Sequence, residues 1–346
     1  MARPDLLPRG SAQPLVRLYD TALLDLDGVV YLQEQPVPEA AAALAAAREA
    51  GMRLEFVTNN ASRRPTAVAS LLGTLGVVAD PGEIVTSAQA SAALLAERLP
   101  AGAAVLVVGS VALGEELADV GLRPVRSADD APRAVVQGYS ADTGWAQLAE
   151  GAIALRAGAL WVATNADATF PSPRGPLPGN GSLVAALTTA TGRAPDEIVG
   201  KPHPRLHQES VRRSGAVRPL VVGDRLDTDI EGAINGRCAS LLVLTGVTTA
   251  AELIAAPPRH RPDYVSADLR GLLEAHPAPV VDAGQASCRE WMVRPEPGAL
   301  RLSGSGLAID ALRALCAAAW SAGEGGAVKV IADGPAAETV LGELAL

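Results

Sequence analysis

Short apolar segments that end abruptly in polar turns, each followed by an alanine- or leucine-rich stretch, set the strongest limit on how this chain can fold. Residues 18–30 (LYDTALLDLDGVV) begin as an apolar run of strand character and end in Asp-Gly, a turn signal. Residues 40–50 read as a helix stopped by Gly51. Residues 53–57 (RLEFV) form a short buried strand that runs straight into Thr58-Asn59-Asn60, and residues 67–75 read as a helix ended by Gly76. Strand, turn and helix in repetition predict βαβ units and a parallel, Rossmann-like sheet. Right-handed crossovers then gather the loops after the strands on one edge, where ligands bind in such sheets.

The alternation continues with strands at 103–109, 133–138 and 160–164 and helices at 111–120 and 145–157. Residues 171–181 are rich in Pro and Gly and read as a loop, with a helix at 182–191 capped by Asn180 or Ser182. After Lys201 come a helix at 203–214, a strand at 219–222, a helix at 228–235 and a strand at 239–244. The polar loops at Asp25, Thr58, Lys201 and Asp224 are thus separated by a long α/β stretch that carries none of them. An inserted cap domain explains this better than one continuous sheet. The expected organisation is a disordered tail at 1–16, a catalytic core at 17–85 and 199–278, a cap at 86–198, and a small C-terminal α/β appendage at 279–346.

Hydrophobic residues make up 49% of the 346 and aromatic residues only 3%, so the core must be built of Ala, Val and Leu. A net charge of −9 argues against a nucleic-acid partner, because phosphate backbones select basic surfaces. No stretch approaches the roughly 20 apolar residues that span a bilayer, and the Pro/Arg-rich N-terminal residues lack the apolar centre of a secretory signal. The chain is expected to be soluble, cytoplasmic and free of membrane contact, with a homodimer left open. Cys238, Cys288 and Cys316 have neither metal-ligand spacing nor a disulfide pattern and read as buried small hydrophobes. Of 29 basic residues only Lys201 and Lys329 are lysines, which singles out Lys201 as a place where a compact ammonium is wanted.

Four loops carry chemistry, and each has a plain alternative. Asp25 and Asp27 follow an apolar strand whose alternation points both to one side, with Gly28 letting the chain turn away. Two such carboxylates repel unless a cation lies between them; alone, the segment could be an ordinary Asp-Gly turn. The Thr58 hydroxyl with the Asn59 and Asn60 N–H groups makes an anion cradle, or simply a turn. Lys201, between Gly200 and Pro202, would neutralise anionic oxygens, or be a solvated surface lysine. Asp224, Asp227 and Asp229 follow the strand at 219–222 and suit a hard cation, although acids at a helix start also act as plain caps. All four at strand ends, in this order, is hard to explain as turns.

LLDLDGVVY (23–31), VTNNAS (57–62), GKP (200–202) and GDRLDTDI (223–230) resemble the four motifs of haloacid dehalogenase superfamily phosphatases, in the branch with a large α/β cap between the second and third motifs. That branch includes phosphatases of phosphoglycolate, glycerol 3-phosphate, pyridoxal phosphate, 4-nitrophenyl phosphate and nucleotides. The resemblance implies that Asp25 attacks phosphorus and is transiently phosphorylated, and that Asp27 serves as general acid and then base. It implies Mg²⁺ held by the Asp25 carboxylate, the Asp27 main-chain carbonyl and Asp224, with Asp229 behind them. Thr58, Asn59, Asn60 and Lys201 would bind the phosphoryl oxygens. In the cap, Asn165, Asp167 and residues 178–182 are candidates for reading the substrate.

Residues 301–306 (RLSGSG) with the helix at 307–319 resemble the pyrophosphate loop of GCN5-type acetyltransferases, followed by a strand at 328–332 and a helix at 336–344. Only about half such a domain fits, so a packing appendage is expected rather than acetyl transfer. The expected activity is hydrolysis of a small phosphomonoester, glycerol 3-phosphate first; phosphoglycolate, pyridoxal phosphate and nucleotides are the alternatives. A silent binding protein of the same fold is disfavoured by the intact Asp25, Asp27, Lys201 and Asp224 set. A dinucleotide-dependent oxidoreductase is disfavoured because no G-x-G-x-x-G follows the first strand.

Overall fold

The computed structural model describes residues 7–33, 35–170, 172, 174–323 and 325–346. It divides into two compact units, one of residues 1–54 with 214–346 and one of residues 55–213.

In the first unit the strands Thr21–Leu24, Pro219–Gly223, Ala239–Val243 and Tyr264–Ser266 run parallel, each paired with the next, with Leu24 opposite Val222 and Val222 opposite Leu241. Their side chains are buried almost without interruption, as parallel strands covered on both faces require. Helix Ala40–Glu49 buries Ala40, Ala43, Leu44 and Ala47, the stripe of a helix lying on a sheet. The first strand is shorter than expected. Beyond Leu24 the chain turns, and only Tyr31–Leu32 becomes extended again, in a hairpin with Gln35–Pro36.

The C-terminal segment is part of this same unit. Strands Val280–Asp282, Gln285–Cys288, Trp291–Glu296 and Ala299–Ser303 form an antiparallel meander, and Lys329–Asp333 joins Ala299–Ser303 in parallel. Helix Ala308–Ser321 buries every residue from Asp310 to Trp320 except Ala319, too many for one contact face. The surplus is explained by one continuous apolar cluster that joins Leu242, Leu253 and Val265 to Trp291, Leu302, Leu312 and Leu315. Polar contacts follow the same seam. Trp320 Nε1 donates to the Leu253 carbonyl at 3.2 Å. The Arg313 guanidinium reaches the Val265 carbonyl at 2.6 Å, Asp310 Oδ1 at 2.6 Å and His276 Nδ1 at 3.1 Å. The expected appendage therefore shares its core with the parallel sheet.

The expected disordered tail is ordered where it is described. Leu15 and Val16 are buried on the short helix Leu15–Leu18, Ser11 bridges to His276, and Arg9 pairs with Asp263 at 2.9 Å. Two apolar side chains and these tethers outweigh the Pro/Arg-rich composition; residues 1–6 lie outside the described residues.

The strand Arg53–Thr58 begins in the first unit, where the Arg53 N–H donates to the Asp20 carbonyl at 3.0 Å, and ends in the second. There it pairs in parallel with Ile84–Thr86, Thr58 opposite Thr86. The second unit also holds a parallel sheet in the order Glu197–Ile198, Leu160–Ala163, Ala134–Gln137, Ala104–Val108, Arg123–Val125. Its core is Leu106, Val135, Trp161, Leu155 and Leu187. Helix Asn180–Thr191 starts two residues earlier than expected and has no side-chain cap. Asn180 is buried and donates instead to the carbonyls of Asn165 and Gln137, while Ser182 Oγ donates to the Ala168 carbonyl. No helix among the described residues is long and apolar enough to cross a membrane. All three cysteines are buried, and burial pushes the Cys288 thiol up to about 11.

Candidate active site

In the first unit the candidate residues gather where parallel strands end. Asp25 follows Leu24 directly, and its N–H still donates to the Val222 carbonyl at 2.9 Å, so the ladder carries one residue past the strand. Buried Leu26 then anchors a turn, its carbonyl accepting from the Val30 N–H at 2.9 Å. The alternation expected for Asp25 and Asp27 does not apply within a turn. Asp27 is exposed and bridges to Tyr31, whereas Asp25 is half-buried.

Asp224 is fully buried where the chain leaves Pro219–Gly223. Its Oδ2 accepts the Val247 N–H at 2.7 Å, and its carbonyl accepts from Thr248 N–H at 3.2 Å. Thr245 Oγ1 donates to the Gly28 carbonyl at 2.6 Å, tying residues 245–248 to the first turn. Two glycines leave room for this carboxylate. A Cβ on Gly28, which sits at φ +84°, would lie 2.4 Å from Asp224 Oδ2, and one on Gly246 would lie 2.0 Å from it. Asp229 is fully buried in the π-helical turn Leu226–Ile230, where its Oδ2 accepts the Arg225 N–H at 3.2 Å. Asp227 is exposed and pairs with Arg225 at 2.9 Å.

Asp25, Asp224 and Asp229 each present a carboxylate oxygen within 4.8 Å of the others. Three carboxylates held this closely repel one another unless a cation shares the space, and an all-oxygen set of this kind suits a hard divalent ion. Asp229, expected behind the ligands, presents an oxygen within the same 4.8 Å as the other two. The Asp27 carboxylate is not part of the group, and its expected contribution was the main-chain carbonyl.

In the second unit Thr58 ends its strand buried, and its Oγ1 accepts the Asn60 N–H at 3.1 Å. Asn60 Oδ1 accepts the N–H and hydroxyl of Ser62 at 2.7 and 2.8 Å, so the Asn60 side chain and N–H both serve the local turn. Lys201 is buried, only 4% exposed, and its Nζ lies 3.4 Å from the Val57 carbonyl. It precedes Pro202 across a cis peptide bond. Asn59 clasps the Lys201 main chain at both its N–H and its carbonyl, at 2.7 and 3.1 Å. The alternative of a solvated surface lysine is thereby excluded.

Residues 245–248 were missed by the sequence. Their signal is faint, a threonine and a glycine just past the strand Ala239–Val243, the same strand-end position as the other loops. The contacts of Asn165 and Asp167 with the Asn59 turn, across more than a hundred residues, had no local signal at all.

A haloacid dehalogenase-like hydrolase model matches residues 22–123, and a second HAD-hydrolase-like model matches residues 198–272. A GCN5-related N-acetyltransferase like domain matches residues 288–346. The D-glycerol 3-phosphate phosphatase of Mycobacterium tuberculosis is 54% identical over 254 residues, covering 73% of this chain and 71% of that protein. The crystal structure of a glycerol phosphate phosphatase from the same species, in complex with magnesium, superposes with a TM-score of 0.88 at 45% identity, covering 96% of this chain and 99% of that one. The p-nitrophenyl phosphatase of Archaeoglobus fulgidus gives a TM-score of 0.69 at 32% identity, over 74% of this chain and 98% of that one. The chain belongs to the haloacid dehalogenase-like hydrolases. Within that family it is a phosphatase, with a Rossmann-like core, an inserted α/β cap and an added C-terminal α/β segment.

Proposed function

We propose that this phosphatase hydrolyses glycerol 3-phosphate through an aspartyl phosphate formed on Asp25. The observation that carries the substrate is the 54% identity to a D-glycerol 3-phosphate phosphatase over 254 residues. Asp25 attacks phosphorus in line as the ester P–O bond breaks, and Asp27 gives its proton to the departing alkoxide. Asp27 then takes a proton from the water that attacks the acyl phosphate, releasing inorganic phosphate and restoring the Asp25 carboxylate. The Thr58 hydroxyl, the Asn59 main-chain N–H and the Lys201 ammonium bind the phosphoryl oxygens as charge shifts among them. The buried position of Lys201 supports that role, since water does not screen its charge there.

The oxygen donors of Asp25 and Asp224 fit Mg²⁺, with the Asp27 carbonyl as a further ligand and Asp229 steadying the group. When bound, the ion supplies charge that shields the carboxylates and polarises the phosphoryl group. The substrate is a small soluble metabolite, and a cytoplasmic setting fits it.

Phosphate release from glycerol 3-phosphate, phosphoglycolate, pyridoxal phosphate, nucleoside monophosphates and 4-nitrophenyl phosphate, with Mg²⁺ and with EDTA, tests the proposal. Release that is best on glycerol 3-phosphate, needs Mg²⁺ and vanishes in Asp25→Asn protein is the expected result. A better substrate elsewhere on the panel overturns the substrate assignment. Turnover that survives EDTA or Asp25→Asn overturns the mechanism.

A further inference from the structure

Asn59 lies at the centre of a polar network within the second unit, and both ends of its side-chain amide are engaged there. Oδ1 accepts the Lys201 N–H at 2.7 Å, while Nδ2 donates to the Lys201 carbonyl and to Asp167 Oδ2, both at 3.1 Å. A carboxamide has two N–H donors, so both are used. The Asn59 carbonyl accepts from Asn165 Nδ2 at 2.7 Å and from Ser87 Oγ at 2.6 Å. Asp167 is itself fixed, its N–H donating to Asn165 Oδ1 at 3.2 Å and its carbonyl accepting from Gly181 N–H at 2.9 Å. Asn165 is buried, and its carbonyl accepts from Asn180 Nδ2 at 2.7 Å.

We propose that Asp167 is a positioning residue for Lys201, acting through the Asn59 side-chain amide. The two ends of a carboxamide have nearly the same shape, and only their partners decide which way it faces. An ionised carboxylate is an acceptor only, so Asp167 admits the nitrogen end and turns the oxygen end toward the Lys201 N–H. A lysine carries its charge on a flexible four-carbon stem; where its main chain is pinned therefore limits where the ammonium can reach. The segment bearing Asp167 lies far along the chain from both residues, yet sets their orientation. The inference rests on the proposed contact of Lys201 with phosphoryl oxygens. It differs from a role of Asp167 in reading the alcohol part of the substrate.

Steady-state kinetics of full-length Asp167→Ala and Asp167→Asn proteins on glycerol 3-phosphate and 4-nitrophenyl phosphate, with hydrogen exchange read at the Lys201 amide, provide the test. For Asp167→Ala, kcat falls roughly 10–100-fold on both substrates, the range found for supporting residues behind a first coordination shell, with KM little changed. Asp167→Asn, which still offers an acceptor oxygen, recovers most of the loss. The Lys201 amide exchanges faster in Asp167→Ala than in the parent. A rise in KM confined to glycerol 3-phosphate, with kcat on 4-nitrophenyl phosphate intact, overturns the proposal in favour of substrate reading. Unchanged exchange at Lys201 in folded Asp167→Ala overturns it as well. If Asp167→Ala does not fold, Asp167→Leu removes the acceptor with less lost volume. Exchange needs no turnover, so a parent protein that hydrolyses neither substrate defeats the functional proposal while the exchange arm still decides this one.

Discussion

Replacing Gly246 by alanine tests whether the acidic cluster acts as a rigid receptor for a cation. The added Cβ would stand 2.0 Å from Asp224 Oδ2 and 2.8 Å from Gly28 Cα, whereas real Cβ contacts essentially never fall below 3.0 Å. Either the carboxylate retreats by about 1 Å or residues 245–248 move outward, because the Gly28 main chain blocks the other side. Both movements strain the 2.7 Å bond from Val247 N–H that orients Asp224. Metal–ligand distances tolerate only about ±0.2 Å, and a misplacement of about 1 Å at a reacting centre costs on the order of 10²-fold. Gly246→Ala is therefore expected to weaken Mg²⁺ binding and to lower kcat/KM on 4-nitrophenyl phosphate by about that factor, with a stability cost of about 1–3 kcal/mol. Calorimetric Mg²⁺ titration, a Mg²⁺ activation curve and a thermal melt separate the two losses. A folded variant that binds Mg²⁺ and turns over like the parent would refute the assignment of Asp224 as a fixed ligand.

Further outcomes follow from other parts of the molecule. Asp25→Asn removes the nucleophile while keeping the shape of the side chain; it should abolish turnover and radiolabelled phosphoenzyme alike, and labelling that persists would place the nucleophile elsewhere. Trp291→Ala empties a fully buried site in the shared core and removes the 3.1 Å bond from its indole N–H to the Leu307 carbonyl. It should cost about 3–5 kcal/mol in urea unfolding, and a loss below 1 kcal/mol would contradict the shared core. His276 must stay neutral, because Arg313 can only donate to its Nδ1 while Nε2 donates to the Gly271 carbonyl at 2.8 Å. Burial, with help from Arg313, holds its pKa below the ordinary 6.5. A depressed histidine stabilises above its unfolded pKa, and that stability is lost as pH falls through 6.5 toward the folded value. His276→Gln should flatten the fall in unfolding free energy between pH 7 and 5, and an unchanged slope would refute the account.

Much of the candidate site's layout was legible because it depends on local order. Asp25 and Asp224 each follow a run of buried strand residues, so their position at a sheet edge comes from pattern alone. Lys201 stood out because only one other lysine, Lys329, occurs among the 29 basic residues. Where the chain turns rather than extends, pattern misled. The alternation drawn through Asp27 fails because the strand stops at Leu24. Asn180 looked like a helix cap, yet burial commits its amide to carbonyls on two other segments. Asp167 and Val247 meet their partners, Asn59 and Asp224, across long stretches of chain, and no periodicity reports such pairs. The N-terminal residues were misjudged from composition, since Leu15 and Val16 find a buried place that a Pro/Arg-rich context hides.

The helix Ala308–Ser321 has a practical consequence for anyone shortening this protein. Cutting at residue 279, where the phosphatase family models have already ended, would bare Leu253, Ile254 and Val265 to water and leave the Arg261 guanidinium without the Trp320 and Gly323 carbonyls it now serves. The truncated chain would keep every residue assigned to the reaction and still be a poor catalyst, because it would precipitate. Soluble yield is therefore expected to fall when the last third of the first unit is removed, and libraries built on the shorter relatives' length would select against this enzyme before its chemistry is tested.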